Sequence, residues 1–413
     1  MKIRFLIANA YGVGGTIKAT YNLAGDLANR HDVEIVSVHR HRDVPAFPIP
    51  PGVELRALVD RSTRVRRADG RRTGLVSRAK GRAKKWARRR PSRVIHPRDF
   101  RYKNFNALSD LRLVQFLRSV DDGVLIGTRA GLNLAIARFA RPSVIRVGQE
   151  HLNMTKYGEE IRQAFRRYYP RLDAYSVLTQ ADAAAFSELL DGATRIVCNA
   201  NGVSDLGGVR SSNESTIIVA AGRLVPQKGF DRLIPAWAKV GEKYPDWELR
   251  IFGAGKLRER LDDQICELGV AKSARLMGYT DRLPEEMARA AFFVMSSRFE
   301  GFPMVLLEAM GCGLPIVSFD CPNGPRDLIT HGKDGFLVPN GDIDGLAAAM
   351  IEMIELGAAR PSFGDAAFAK AKEYELGRVA RRWEELLIEL ASEREGRGQP
   401  GRASPARADA PVP

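Results

Sequence analysis

The 413-residue sequence predicts an α/β protein built of two doubly wound, Rossmann-like domains facing a shared cleft. Three observations carry that reading. Short runs rich in Val, Ile and Phe alternate with longer amphipathic stretches, the pattern of parallel strands covered on both faces by helices. The alternation runs twice through the chain. Between the two rounds lies "NGVSDLGGVRSSNES" (201–215), whose Asn, Gly and Ser favour turns and mark an interdomain hinge.

The first round opens with "IRFLIANA" and "DVEIVSV" as buried strands. Between them "TIKATYNLAGDLANR" reads as a helix behind Gly14 and Gly15, with Thr16 placed to cap it. Further strands are expected near Val124 to Gly127, Ser143 to Val147, Ala174 to Leu178 and Arg195 to Cys198, which closes a first domain over residues 1–200. The second round holds "TIIVAAG", "WELRIFG", "ARLMG", "AAFFVMS", "LPIVSFD" and "GFLVP", a second domain over 201–376. A last helix is expected over 377–393, and the Gly/Pro/Ala/Arg-rich tail, 394–413, is expected to be disordered.

Composition narrows the class. The opening "MKIRFLIANAYGVGG" reads as a strand entering a glycine turn, without a cleavage region, and no run approaches the roughly 18 apolar residues that span a bilayer. Cys198, Cys266, Cys312 and Cys321 have no metal-type spacing, so they read as small core residues of a protein in a reducing cytoplasm. The formal net charge of +15 is concentrated: residues 61–103 carry eighteen Lys/Arg against Asp69 and Asp99, and the remainder is close to neutral.

Within that basic segment, "LVSRAKGRAKKWARRR" spaces Leu75, Val76, Ala79, Ala83 and Trp86 near helical periodicity among Arg78, Lys80, Arg82, Lys84, Lys85, Arg88, Arg89 and Arg90. A basic amphipathic stretch suits an anionic membrane surface or a polyanionic acceptor; a solvated arginine-rich loop is the bland alternative. Nucleic acid is disfavoured as a partner, because no nucleic-acid-binding motif accompanies the charge.

Several loops carry chemistry. Gly12, Gly14 and Gly15 do not complete a dinucleotide fingerprint, since Ile17 occupies its third glycine position, but they suit a turn that offers helix N-terminal amides to an anion. "GRLVPQKGF" puts Arg223 and Lys228 on a loop leaving a strand, a guanidinium fork and a point charge suited to a diphosphate. In "SRFEGFPMVLLEAMGCGLP", Pro303 reads as the first residue of a helix, with Glu300 before it and Glu308 inside an otherwise apolar run. A buried carboxylate needs donors, and either a ribose diol or a neighbouring cation supplies them. The amides of Gly301, Phe302, Met304 and Val305 form a candidate anion site at the same helix start.

Glu300 and Glu308 form an E-x7-E motif, flanked by "GRLVPQKGF", "IFGAG" and "GFLVPNGD". Together these resemble the retaining, GT-B fold glycosyltransferases of family 4, over nearly the whole chain except the basic segment and the tail. The resemblance implies that Arg223 and Lys228 hold the diphosphate of a UDP- or GDP-linked sugar, that Glu308 binds the ribose and that Glu300 binds the transferred sugar. It also implies that Gly278 and Tyr279 meet the base, that Gly15 approaches donor and acceptor, and that His151 in "GQEHLN" is the active-site histidine. One departure is "CPNGPRDLI", where many members have Gly-Gly-x-x-Glu and this chain has Asn323, Gly324 and Asp327.

The expected activity is therefore metal-independent, retaining transfer from a nucleotide-diphosphate sugar, with no cofactor. The acceptor would be a hydroxyl of a glycan, lipid-linked or anionic cell-envelope polymer, and the enzyme cytoplasmic or peripheral on the inner face of the plasma membrane. The alternative is a basic nucleic-acid- or membrane-binding protein with a non-catalytic sugar-nucleotide site.

Overall fold

A computed structural model describes residues 1–62, 86–204 and 208–398. Strands β1 (Lys2–Ile7), β2 (Asp32–Arg40), β3 (Val53–Asp60), β4 (Val124–Gly127), β5 (Ile145–Gln149), β6 (Ala174–Val177) and β7 (Ile196–Cys198) form one sheet, ordered β3-β2-β1-β4-β5-β6-β7. Strands β8 (Ile217–Ala221), β9 (Glu248–Phe252), β10 (Ala274–Gly278), β11 (Phe292–Met295), β12 (Ile316–Asp320) and β13 (Gly335–Pro339) form a second, ordered β10-β9-β8-β11-β12-β13. Every neighbouring pair in both sheets is parallel. Parallel neighbours need crossovers, and the amphipathic stretches supply them as helices on both faces.

This topology decides where loops can act. Strand order reverses between β1 and β4 in the first sheet and between β8 and β11 in the second. At such a reversal the connections leave in opposite directions and open a crevice at the carboxyl ends of the strands. The loops at those four strand ends are Ala8 to Gly14, Thr128–Arg129, Gly222 to Lys228 and Ser296 to Pro303.

Both sheets are packed on both faces. In the second, Ile218, Ile251, Phe292 and Phe319 join Trp237 of helix Phe230–Lys243 in one core layer. On its other face Val219, Phe293 and Ile316 pack against Leu306, Leu307 and Met310 of helix Met304–Gly311, together with Leu178, Ala200 and Val203 from the end of the first round. The apolar run around Glu308 is thus the underside of a helix laid on the sheet.

The linker is held, at its described residues, by the chain that returns across it. The Val203 amide donates to the Tyr374 carbonyl and the Leu376 amide to the Val203 carbonyl, both at 2.9 Å. A Cβ on Gly202 would approach Leu376 Cα to 2.9 Å, so the crossing admits only glycine there. From this point helix Leu376–Gly398 runs along helix Gly15–Leu27 and places Val379, Trp383, Leu387 and Leu390 against the first sheet's Phe5 and Ile35.

Several expectations need correction. Strand β3 was absent from the sequence reading, because an edge strand with the mixed exposure of "VELRALVD" lacks the continuous apolar run of its neighbours. Thr16 lies inside its helix, whose cap position is Gly14, and so does not cap it. Pro303 occupies the cap position of helix Met304–Gly311 and not its first turn. The last helix continues past residue 393 to Gly398, and residues 399–413 lie outside the described residues. Cys266 is exposed, not a core residue. Among the described residues no helix is long and apolar enough to cross a membrane.

Because Trp383 is 1% exposed and seals the first sheet from the far end of the chain, W383A should destabilise the amino-terminal half by about 3–5 kcal/mol. Urea unfolding followed with a probe confined to residues 1–200 would register this; an unchanged midpoint would show that the helix merely rests on the surface.

Candidate functional site

The elements that leave the two reversals meet: helix Gly15–Leu27, entered from the loop after β1, reaches helix Met304–Gly311, entered from the loop after β11, through Lys18 and Glu308. Gly229 turns the first loop of the second sheet with a left-handed φ of 67°, and a Cβ there would stand 2.0 Å from the Ser296 carbonyl. Only glycine meets both demands. The approach lets the loop after β8 pin the loop after β11: Gln227 Nε2 donates to the Phe299 carbonyl at 3.1 Å, and the Arg298 guanidinium grips Asp231 at 2.6 and 2.8 Å.

Lys228 is brought against Glu300 by this pinning. Its Nζ lies 2.7 Å from Glu300 Oε1, which also accepts the Ser297 hydroxyl at 2.6 Å. Both side chains are largely withdrawn from solvent, at 15% and 7% exposure. The sequence-predicted diphosphate lysine and sugar carboxylate are thus partners of each other in the cleft. Arg223, on the same loop, stays exposed.

Glu308 faces the other domain. Its carboxylate is 15% exposed and its Oε1 lies 2.6 Å from Nζ of Lys18, one turn into helix Gly15–Leu27. Neighbouring Gly14 and Gly15 have open space where a Cβ would stand, so the backbone at this helix start fronts an open part of the cleft. At the facing helix start, the Met304 amide turns back onto the Phe302 carbonyl at 3.0 Å and is not free for a ligand in this conformation. Gly278 ends β10 at φ 84°, and Tyr279 beyond it is 80% exposed at the carboxyl edge of the second sheet.

His151 follows β5 and meets the Glu300 loop directly. A Cβ on Gly301 would come within 2.4 Å of the His151 carbonyl, and Asn153 Nδ2 donates to the Glu300 carbonyl at 3.2 Å. Gly301 is therefore a contact point between the domains as well as a candidate amide donor. The ring nitrogen Nε2 of His151 is buried without a hydrogen-bond partner among the described residues. Burial lowers its pKa to about 3, with the positive charge of Arg129 adding to the effect, so the imidazole is neutral at ordinary pH.

Beneath this turn sits a carboxylate the sequence reading passed over. Glu150, 1% exposed, accepts the backbone amides of His151 and Leu152 on Oε1 at 2.9 and 3.1 Å and the Tyr175 hydroxyl on Oε2 at 3.2 Å. Burial raises its pKa to about 7 despite those donors. The sequence signal was present, an acidic residue at the end of a buried strand. Lys18, Asn153 and Asp182 were missed for a different reason: each earns its place through a partner more than a hundred residues or a whole fold away, or through a loop it braces.

The basic stretch is only partly visible. Arg78, Lys80, Arg82, Lys84 and Lys85 lie outside the described residues. Trp86 is 60% exposed with the Arg90 guanidinium 4.9 Å from its ring centre, and Arg88, Arg89 and Arg90 are exposed.

Known proteins share this architecture. An S. aureus TarM mutant, solved in complex with fondaparinux, alpha-GlcNAc-glycerol and UDP, superposes with a TM-score of 0.70 at 15% identity, covering 94% of this chain and all of that one. The fold is GT-B. Residues 208–370, the part that carries Arg223, Lys228, Glu300 and Glu308, match the family described as glycosyl transferases group 1. Over 397 residues the chain is 36% identical to an exopolysaccharide phosphotransferase of Streptomyces coelicolor, covering 96% of this chain but only 41% of that protein. An uncharacterized glycosyltransferase of Haemophilus influenzae is 23% identical over 390 residues, covering 94% and 99% of the two chains. Glu300 and Glu308 stand on the carboxy-terminal side of the junction between the two sheets, and Lys18 and Asn153 meet them from the other side.

Glu150 gives the site a pH signature. Its folded pKa is raised, so its contribution to stability is fully present below the unfolded value near 4.5 and is lost as pH rises through about 7. The stability difference between wild type and E150Q, from denaturant melts at pH 4.5 and 8, should therefore move against the wild type by roughly 3 kcal/mol across that window. A pH-independent difference would mean that Glu150 titrates normally.

Proposed function

We propose that this GT-B protein is a glycosyltransferase that moves a sugar from a nucleotide-diphosphate donor to a hydroxyl acceptor with retention of configuration. The observation that carries the proposal is the convergence, at two facing strand reversals, of a buried Lys228–Glu300 pair, a cleft-facing Glu308 and the His151 turn. In this reading Glu308 takes the ribose hydroxyls and Arg223 and Lys228 take the diphosphate. Glu300 takes hydroxyls of the transferred sugar, while Gly278 and Tyr279 border the base. The match of residues 208–370 to the group 1 family supports the donor side.

As the sugar–diphosphate bond breaks, negative charge grows on the leaving diphosphate. Lys228, already held in place against Glu300, with Arg223 on the same loop and the amides of Gly301, Phe302 and Val305, stabilises it, which is work that a metal ion performs in other sites. The acceptor hydroxyl then bonds the anomeric carbon from the face the diphosphate leaves and passes its proton to the departing phosphate oxygen, giving glycosylated acceptor and nucleoside diphosphate. Neutral His151, with Nε2 unpartnered, offers one hydrogen bond to the sugar without adding charge. Two carboxylates do not make this a hydrolase, because Glu300 is tied to Lys228 and Glu308 to Lys18.

The acceptor proposed is a glycan, lipid-linked or anionic polymer of the cell envelope. Exposed Trp86 and Arg88 to Arg90 beside the amino-terminal sheet, and the polysaccharide role in the name of the Streptomyces relative, support that class. The same features support peripheral attachment to an anionic membrane face from the cytoplasmic side.

A panel of UDP- and GDP-sugars screened by thermal shift should raise the melting temperature for one nucleotide class, followed by donor hydrolysis or transfer. With that nucleotide, E308A should weaken binding of the nucleoside diphosphate by about tenfold or more, whereas E300A should chiefly reduce turnover. No stabilisation by any sugar nucleotide, alongside tight binding of RNA or DNA, would replace the transferase reading with that of a basic binding protein.

A further inference from the structure

The "CPNGPRDLI" departure lies at the cleft. Asn323 has a left-handed φ of 63°, a conformation glycine adopts freely and asparagine tolerates better than most residues. Asparagine in place of the pattern's glycine therefore keeps the backbone and adds an amide. That amide crosses the cleft: Asn323 Nδ2 donates to Asp182 Oδ2 at 2.8 Å. Asp182 is 5% exposed, accepts the Thr179 hydroxyl at 2.8 Å and, on its other oxygen, the Met154 amide at 2.9 Å. One buried carboxylate thus fastens the far end of the His151 turn and receives the other domain.

The contacts close into a ring. Pro322, next to Asn323, accepts the Glu300 amide on its carbonyl at 3.3 Å, and a Cβ on Gly324 would lie 2.3 Å from Pro303 Cδ, so this loop buttresses the Glu300 loop and the start of the Glu308 helix. On the opposite side Asn153 meets the Glu300 carbonyl, and the Lys156 ammonium sits 3.6 Å from the centre of the Phe299 ring. We propose that Asn323 and Asp182 are positioning residues, a clasp between the domains that sets the His151 turn against the Glu300 loop and so couples cleft closure to correct placement of the transferred sugar. The second half of that statement rests on the transferase reading; the clasp itself does not.

The pair can be inverted. N323D keeps the tolerated backbone but sets a carboxylate against Asp182, whose charge is also felt at nearby Asp327. N323G keeps the backbone and removes the amide. In the double variant N323D/D182N the amide and the carboxylate exchange sides, and the carboxamide oxygen introduced at position 182 can still accept the Met154 amide.

Hydrogen–deuterium exchange on the full-length, ligand-free chain should show the segment 151–157 exchanging about tenfold faster or more in N323D, and faster in N323G, with N323D/D182N back within about threefold of wild type. With the donor identified by the panel, kcat in N323D should fall about tenfold while KM for donor stays within about threefold, and the double variant should recover it. Wild-type exchange in both N323D and N323G, or a double variant no better than N323D, overturns the clasp. The expected exchange pattern in a chain that turns over no sugar nucleotide supports the clasp and defeats the transferase reading instead.

Discussion

Everything in the cleft follows from the cost of a carboxylate withdrawn from water. An unpaired buried charge costs several kcal/mol, so each acidic group near the meeting of the two sheets has acquired a donor. Glu300 has Lys228 and Ser297, Glu308 has Lys18, Asp182 has Asn323, Thr179 and an amide, and Glu150 has two amides and a tyrosine. Three of these satisfied groups take their donor across the cleft or brace a loop that does. The way the domains face each other is in part the arrangement that leaves none of these charges orphaned.

The fold was legible because its strongest determinants are local. Runs such as "TIIVAAG" and "GFLVP" are continuous in apolar residues and read as strands whatever surrounds them, and β13 falls on Gly335–Pro339 as read. Strand β3 escaped because Glu54, Arg56 and Asp60 interrupt its apolar run, and because it runs straight into the basic stretch. The shift of Pro303 to a cap position has a similar origin, since a proline that opens a helix and one that precedes it look alike until the backbone angles are known.

The candidate site was legible as a set of residues but not as a set of bonds. Composition and position placed Lys228, Glu300 and His151 on loops at strand ends and Glu308 inside the helix that follows one of them, where the topology does gather them. Which group neutralises which depends on the angle between two domains, information spread over the whole chain. Glu308 finds its cation at residue 18, 290 positions away, and Asp182 finds its amide 141 positions away. No window of sequence contains either pair.

On the proposed reading, the same pairs solve a problem that a diphosphate poses on arrival. A cleft holding free lysines would attract any anion, and one holding free carboxylates would repel the donor. Lys228 held by Glu300, and Glu308 held by Lys18, present neither excess. Because an ammonium has three protons to donate, Lys228 can meet a phosphate oxygen while it keeps Glu300, and Ser297 still satisfies that carboxylate if the lysine swings away. Lys18 and Glu308 differ in this respect, since a ribose diol at Glu308 competes with the ammonium for the same oxygens. Nucleotide entry is then felt at once by helix Gly15–Leu27 on the opposite wall, whose open glycine start lies three residues from the displaced lysine. A donor that reaches only the carboxy-terminal wall would thereby alter the wall on which the acceptor must dock.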